Sequence, residues 1–199
     1  MLATFAEQIA VEGFGPGEYM SKCVPESMGN ALPIAYGGCT LANAVYAACL
    51  SVQPSFNLYS VPGHYLRPAS TEQKLTCRVQ ILRDTRSFAT RRVEVWQLQK
   101  GGKEQLCLLL VADFILTGPA LLTYSAPPSR AYSDFVDSLT VEAIEENLRA
   151  KGQYSEKQLA IRKVVLGLGS RYFESRYCPE GVSGQNLSGL RGANKSVRF

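Results

Sequence analysis

The stretch Ala35-Tyr-Gly-Gly-Cys-Thr-Leu-Ala-Asn-Ala-Val-Tyr-Ala-Ala-Cys-Leu50, read together with Lys74-Leu-Thr-Cys-Arg-Val-Gln-Ile-Leu-Arg83, decides the fold class. In the first, Leu41, Val45 and Ala48 recur at helical spacing and small residues fill nearly every other position. A surface helix shows a polar stripe, so a helix of small residues is expected to lie buried against a sheet, where short side chains permit close approach. In the second, Leu75, Cys77, Val79 and Ile81 alternate with polar residues, the pattern of a half-buried strand. Downstream, Phe88 to Gln99 and Gln105 to Leu116 are β-rich, and Lys100-Gly101-Gly102-Lys103 between them is a hairpin turn with glycines for positive φ. Upstream, Asn57 to Val61 and Gly63 to Pro68 read as a strand interrupted near Pro62-Gly63. The expectation is an α+β domain in which one buried helix precedes three long, consecutive antiparallel strands.

The flanks are less regular. The segment up to Gly29 reads as an irregular arm or short strand, and Pro119 and Pro127-Pro128 mark a connector. Ser133 to Ala150 resumes helical spacing through Phe135, Leu139, Ile144 and Leu148, and Ser155-Glu-Lys-Gln158 has the form of a capping box opening a second, short helix. From Ser170, Arg171-Tyr-Phe-Glu-Ser-Arg-Tyr177 alternates as a strand would. These breaks divide the chain into a domain over residues 1–118, a helical linker over 119–169 and a further segment over 170–199.

Composition narrows the chemistry. With 46% hydrophobic and 19% charged residues in 199, the chain has the balance of a globular protein. No apolar run approaches the ~20 residues of a membrane span, and the first residues lack a basic n-region, so no membrane span or targeting segment is expected. The net charge of +4 is too small for a dedicated nucleic-acid binder. It is concentrated in residues 67–130, where ten basic and five acidic side chains leave +5, an excess suited to a phosphate-bearing small molecule. Six cysteines without a CxxC pair predict neither a metal site nor disulfides. Several, Cys49 among them, sit between apolar neighbours and read as small buried hydrophobes of an intracellular, reducing compartment. The single histidine, His64, excludes multi-histidine metal sites and two-histidine mechanisms, and no GxSxG elbow supplies a triad serine.

Three motifs then carry a family resemblance: Tyr36-Gly37-Gly38 entering the helix, Tyr65-Leu66-Arg67-Pro68, and Leu82-Arg83-Asp84-Thr85-Arg86-Ser87-Phe88-Ala89-Thr90-Arg91-Arg92-Val93. In order and spacing they resemble the N-terminal hot-dog repeat of type II acyl-CoA thioesterases, over roughly residues 30–118. The resemblance implies a hot-dog fold, an antiparallel sheet wrapped around a central helix, here with a helical C-terminal extension. It also implies hydrolysis of fatty acyl-CoA to fatty acid and CoA, without metal or other cofactor. Tyr177 to Asn186 looks like the connection into the family's second repeat, so residues 170–199 are its incomplete start. In the family an Asp-activated water with Ser/Thr and Gln partners does the chemistry, and these residues belong to that second repeat. Ser183, Gln185, Asn186 and Ser188 match none of them. The alternative is therefore a non-catalytic remnant that binds acyl-CoA or a partner. A hot-dog dehydratase would need a His-Asp/Glu pair that is not found around His64.

The candidate residues follow. His64 is the one side chain with the ordinary pKa of a general base, against the plainer role of a packed strand histidine. Gly37 and Gly38 leave N–H donors at a helix N-terminus for a thioester carbonyl, or merely let the helix approach the sheet. Tyr65, Arg67, Arg86 and Ser87 are expected at the substrate entrance. Arg91 and Arg92, adjacent on a strand, point to opposite faces, so one of them is structural. Asp84 pairs with an arginine or caps its turn. Glu142, Glu145 and Glu146 form a solvated face. Hot-dog sheets pair edge to edge, so a homo-oligomer or pairing with another hot-dog domain is expected. The compartment, cytoplasm or peroxisome, is not resolved by Ser196-Val-Arg-Phe199, which is not a Ser-Lys-Leu signal.

Overall fold

The helix of small residues, α2 (Gly37–Leu50), lies on a seven-stranded antiparallel sheet that wraps it. The computed structural model describes residues 3–28, 32–126, 131–152 and 154–178, so Ser183, Gln185, Asn186 and Ser188 lie outside the described residues. It divides into two compact units, Met1–Ala120 and Leu121–Phe199. In the first, β1 (Val11–Gly15), β2 (Glu18–Ser21), β5 (Thr76–Asp84), β6 (Phe88–Leu98) and β7 (Glu104–Leu116) run in that order across the sheet. Beyond β7 lie β3 (Phe56–Ser60) and β4 (Gly63–Tyr65), both paired with it. This is the hot-dog fold, and β5, β6 and β7 are the three long strands expected.

The inward positions of β6 are Ala89, Arg91, Val93, Val95 and Gln97, all buried, and they pair with Phe114, Ala112, Leu110, Leu108 and Gln105 of β7. Side chains alternate across a sheet, so this register places one apolar face against α2. The helix answers with Ala44, Ala47 and Ala48, fully buried, flanked by Thr40 and Asn43. Leu41 and Val45 pack only at the margin of this core, while Tyr46, Cys49 and Leu50 are exposed. The helix therefore lies against the sheet by one face, as expected, but Cys49 is on its exposed side and is not a buried hydrophobe. Cys39, Cys77 and Cys107 are buried, and burial pushes the Cys77 thiol up to about 12.

The opening arm is more ordered than its glycines suggest. Thr4 caps α1 (Phe5–Ile9) through a capping box with Glu7, and the β1–β2 hairpin joins the sheet at β5. Asn43 ties α2 to this arm, donating from Nδ2 to the Ile9 carbonyl at 2.8 Å. The other end of α2 is held by Arg91, 3% exposed. Its Nε donates to Ser51 Oγ at 3.0 Å, one terminal nitrogen to the Ser51 carbonyl at 3.1 Å, and the other to Asp84 Oδ1 at 2.6 Å. A cation at a helix C-terminus meets the negative end of its dipole, which stabilises the seat. Arg92 points the other way, to Glu94, so Arg91 is the structural member of the pair.

The second unit contains a 3-10 turn (Phe135–Asp137), β8 (Leu139–Thr140), α3 (Val141–Ala150), α4 (Glu156–Tyr172) and β9 (Arg176–Tyr177), with β8 and β9 antiparallel. Ile144, Leu148 and Leu159 are its buried apolar residues among those described. Ser155 and Gln158 form the expected capping box, but the helix runs 17 residues and absorbs Ser170 to Tyr172. The strand expected from Ser170 is therefore reduced to Arg176–Tyr177; an aromatic alternation this short fits a helix end equally well. Likewise, the helix expected from Ser133 begins only at Val141, where Thr140 caps it. Glu145 is half-buried against Arg162 at 4.0 Å and does not share the solvated face of Glu142 and Glu146.

Replacing Asp84 with Ala strands the buried Arg91 charge. Breaking a fully buried pair costs about 3–5 kcal/mol, and with Asp84 half exposed about 2 kcal/mol is expected. Glu104→Ala, which breaks an exposed pair with Arg78, costs less than about 1 kcal/mol. Urea midpoints at unchanged m-value measure both; equal losses would contradict this account of Arg91.

Candidate functional site

A cavity of about 290 Å³ opens at the N-terminal end of α2, lined by Ala35, Gly37, Thr40, Tyr65, Leu66, Arg67, Pro68, Ala69 and Cys107. Its outer wall is the segment after β4. That wall is fastened by backbone and side-chain bonds, since Leu66 and Arg67 both donate N–H to the Cys107 carbonyl, at 2.8 and 3.3 Å. Gln105 Nε2 donates to the Pro68 carbonyl at 3.0 Å. Buried Gln97 accepts from Ser70 N–H at 2.7 Å and donates to the Ser70 and Gln73 carbonyls at 2.8 and 2.7 Å. The Leu66 bond continues the β4–β7 register, and on the β6 side β7 bulges here: Val95 pairs with Leu108 but Trp96 with Leu106, so Cys107 is the extra residue.

Of the residues expected at the site, Gly37, Tyr65 and Arg67 come together here. Tyr65 Oη donates to the Gly37 carbonyl at 2.8 Å, and its ring lies so close that a side chain at Gly37 would meet it at 3.2 Å. Burial, with Tyr36 nearby, pushes the Tyr65 hydroxyl above its ordinary range, so it remains a donor. Gly38 is covered instead by the Tyr36 ring, which a Cβ would meet at 2.3 Å. A side chain at Gly38 would have to displace that ring, and Gly38 does not line the cavity.

His64 is elsewhere. It pairs with Leu109 on β4, between Gly63 and Tyr65, and alternation therefore turns it to the opposite, outer face, where it is exposed. Arg86 and Ser87 sit in the β5–β6 turn, where the Ser87 carbonyl accepts from Leu116 N–H. Leu116 is nine residues along β7 from Cys107, roughly 30 Å at strand rise. Within one chain, His64, Arg86 and Ser87 therefore do not share the cavity with Gly37 and Arg67. Thr40, Ala69 and Cys107 were missed by sequence reading. Gln97, polar at an inward register after Val93 and Val95, was the available signal for the wall.

The cavity is apolar with few polar groups, the usual make-up of a small-molecule site, at the small end of the range. Arg67 supplies a cation at its rim. Cys107 is not an activated nucleophile: burial raises its pKa, against the weaker opposing effects of Gln105 and the Arg67 charge. Among the described residues no carboxylate or histidine lines it. A larger hollow of about 430 Å³ in the second unit gathers Glu142, Glu145, Lys163 and Tyr177. There Arg162 already engages Glu145 and the Tyr177 hydroxyl. Among the described residues no group of three or more His, Cys, Asp or Glu is arranged to hold a metal ion, and no helix is long and apolar enough to cross a membrane.

Gly63 allows β4 to lie tight on β7. A Cβ there would meet Leu110 Cβ at 2.8 Å and the Leu109 carbonyl oxygen at 3.0 Å. Gly63→Ala is expected to cost about 1–3 kcal/mol by overpacking and to loosen the wall. Amide hydrogen exchange should then quicken at Leu66 and Arg67 but not at Val93 of β6. Unchanged exchange at Leu66 and Arg67 would show that β4 does not hold the wall.

Residues 24–115 match the family model described as the acyl-CoA thioesterase N-terminal domain. Among curated proteins nothing matches. Among solved structures, an acyl-CoA thioesterase II from Mycobacterium marinum is similar at TM-score 0.54 and 20% identity, over 69% of this chain and 48% of that one. A tesB protein of Mycobacterium avium subs paratuberculosis is similar at TM-score 0.47 and 21% identity, over 61% and 46%. A hexameric thioesterase from Yersinia pestis is similar at TM-score 0.44 and 15% identity, over 50% and 84%. The chain thus spans about half the length of the two mycobacterial structures, and the first of the three supports the hot-dog fold. Over residues 24–115, a little under half of its length, the chain is similar to the N-terminal domain of acyl-CoA thioesterases.

Proposed function

We propose that the cavity at the head of α2 receives the thioester end of an acyl-CoA and that the chain is an acyl-CoA thioesterase-like protein. The observation that carries this reading is the joint placement of Gly37, Tyr65 and Arg67 around one small apolar cavity, in a domain similar to that of acyl-CoA thioesterases. The apolar walls suit an acyl group, the first-turn N–H groups of α2 suit a carbonyl oxygen, and Arg67 at the rim suits a phosphate. A second reading, binding without hydrolysis by this chain alone, is favoured by one feature. Among the described residues no carboxylate or histidine lines the cavity to activate water, and its thiol is held neutral. On this proposal residues 119–169 are the helical linker and 170–199 the start of a second repeat, and the groups that would activate water belong outside the cavity of the first.

The test is CoA release from acyl-CoA, followed with a thiol reagent, beside calorimetric titration of the same sample. Binding without turnover assigns this chain the binding role. Turnover proportional to protein, reduced at least tenfold by Arg67→Ala through KM, supports hydrolysis at this cavity. Neither binding nor turnover would reject the acyl-CoA reading.

The sheet ends at β3, which among the described residues pairs only with β7 and shows Tyr59 to solvent. An open edge of this kind is a pairing surface. We expect light scattering to give at least a dimer; a stable monomer at micromolar concentration would remove the oligomer from the proposal.

A further inference from the structure

Thr40, the fourth residue of α2, is 3% exposed and lines the cavity beside Gly37, Ala69 and Cys107. A helical threonine commonly satisfies its hydroxyl by bonding back to a carbonyl three or four residues earlier. Here the carbonyl within reach, that of Tyr36, already accepts from Cys39 N–H at 2.9 Å and Thr40 N–H at 3.4 Å. Among the described residues the Thr40 hydroxyl makes no hydrogen bond, although nearly every other buried polar side chain of this unit is bonded: Gln8, Ser21, Asn43, Arg91 and Gln97. The Thr40 hydroxyl is not among the wholly enclosed polar atoms that lack a partner, so it keeps access to the cavity and is free to bond what the cavity holds. The remaining lining is apolar apart from the Tyr65 hydroxyl, already donated to the Gly37 carbonyl, a neutral thiol, which is a weak donor, and the Arg67 rim.

We propose that Thr40 joins the first-turn N–H groups of α2 in reading the acyl carbonyl, its Oγ1 donating a hydrogen bond to the carbonyl oxygen of the bound thioester. The inference rests on the acyl-CoA reading of the cavity and adds to it the group that tells an acylated ligand from an alkylated one. Thr40 is a binding and positioning residue; no bond is made or broken on it. A rigid helical position and a buried, water-poor setting strengthen this one bond relative to the same bond at a surface.

Two ligands that cannot be hydrolysed isolate it. The first is the ketone analogue of butyryl-CoA, with CH2 in place of sulfur and the carbonyl kept. The second is S-butyl-CoA, with sulfur kept and no carbonyl oxygen. Calorimetry on the full chain is expected to give the ketone about tenfold tighter binding than S-butyl-CoA. Thr40→Val, the near-isosteric loss of the hydroxyl, should lower that ratio at least threefold while leaving S-butyl-CoA affinity within twofold, and Thr40→Ser should keep the preference. Should Thr40→Val fail to fold, Thr40→Ala gives the same ratio with a smaller side chain. An unchanged ratio in the Val or Ala variant, equal loss of both ligands, or a wild-type chain that binds both equally would overturn the assignment of Thr40 alone. A wild-type chain that binds neither ligand would overturn the acyl-CoA reading and this assignment together.

Discussion

Three alanine side chains set how near α2 comes to the sheet, and nearly every other feature of the first unit depends on that separation. Ala44, Ala47 and Ala48 are wholly buried against β5, β6 and β7. Larger residues would lift the helix, and the side chains that reach across the gap would then fall short. Asn43 reaches the Ile9 carbonyl on one flank, and Arg91 reaches Ser51 at the C-terminal end. The same approach brings Gly37 under the Tyr65 ring and so fixes the size of the cavity at the other end. Packing of this kind is intolerant of added volume because protein interiors are filled to the density of organic crystals.

Around that apolar contact the molecule distributes a few buried polar groups, each in a different role. Gln97 satisfies the loop from Ser70 to Gln73 with three bonds, and Arg91 closes the far end of the helix with five acceptors, one of them the half-exposed Asp84. Such groups contribute to uniqueness as much as to stability, because only one arrangement satisfies them all. The two ends of α2 consequently differ: the C-terminal end is closed by charge and fully bonded, while the N-terminal end keeps open donors beside a hollow.

The central helix, β5 to β7, the glycine hairpin at Gly101-Gly102 and the capping box at Ser155 were legible because each is a local pattern of period, turn chemistry or cap. The direction of α2 was less so. Leu41, Val45 and Ala48 mark an apolar side, but of these only Ala48 is fully buried, and the sheet takes the side of Thr40, Asn43, Ala44, Ala47 and Ala48, since smallness outweighs hydrophobicity at a close contact. Site residues were legible only where the motif and the cavity share a strand end, as at Tyr65 and Arg67. His64 was separated from them by one step of the pleat. Arg86 and Ser87 were separated by the length of β7, a distance that sequence spacing does not carry. Thr40 and Cys107 emerge only from tertiary structure: one from the pitch of the helix over the wall, the other from a bulge whose extra residue has no signature in composition.

β7 is the last strand of its unit in the chain and also the one on which the others converge, pairing with β6 on one side and with β3 and β4 on the other. During synthesis, some fifty residues therefore leave the ribosome after β3 and β4 before their partner exists, and α2 waits with its alanine face only partly covered. The helix, β5 and β6 can assemble earlier by shorter loops, but closure of the wrap, and with it the walls of the cavity, is held until Leu116 is free of the exit tunnel. A nascent chain paused before that point would carry an apolar helix face and two unpaired strands, the kind of surface that chaperones retain.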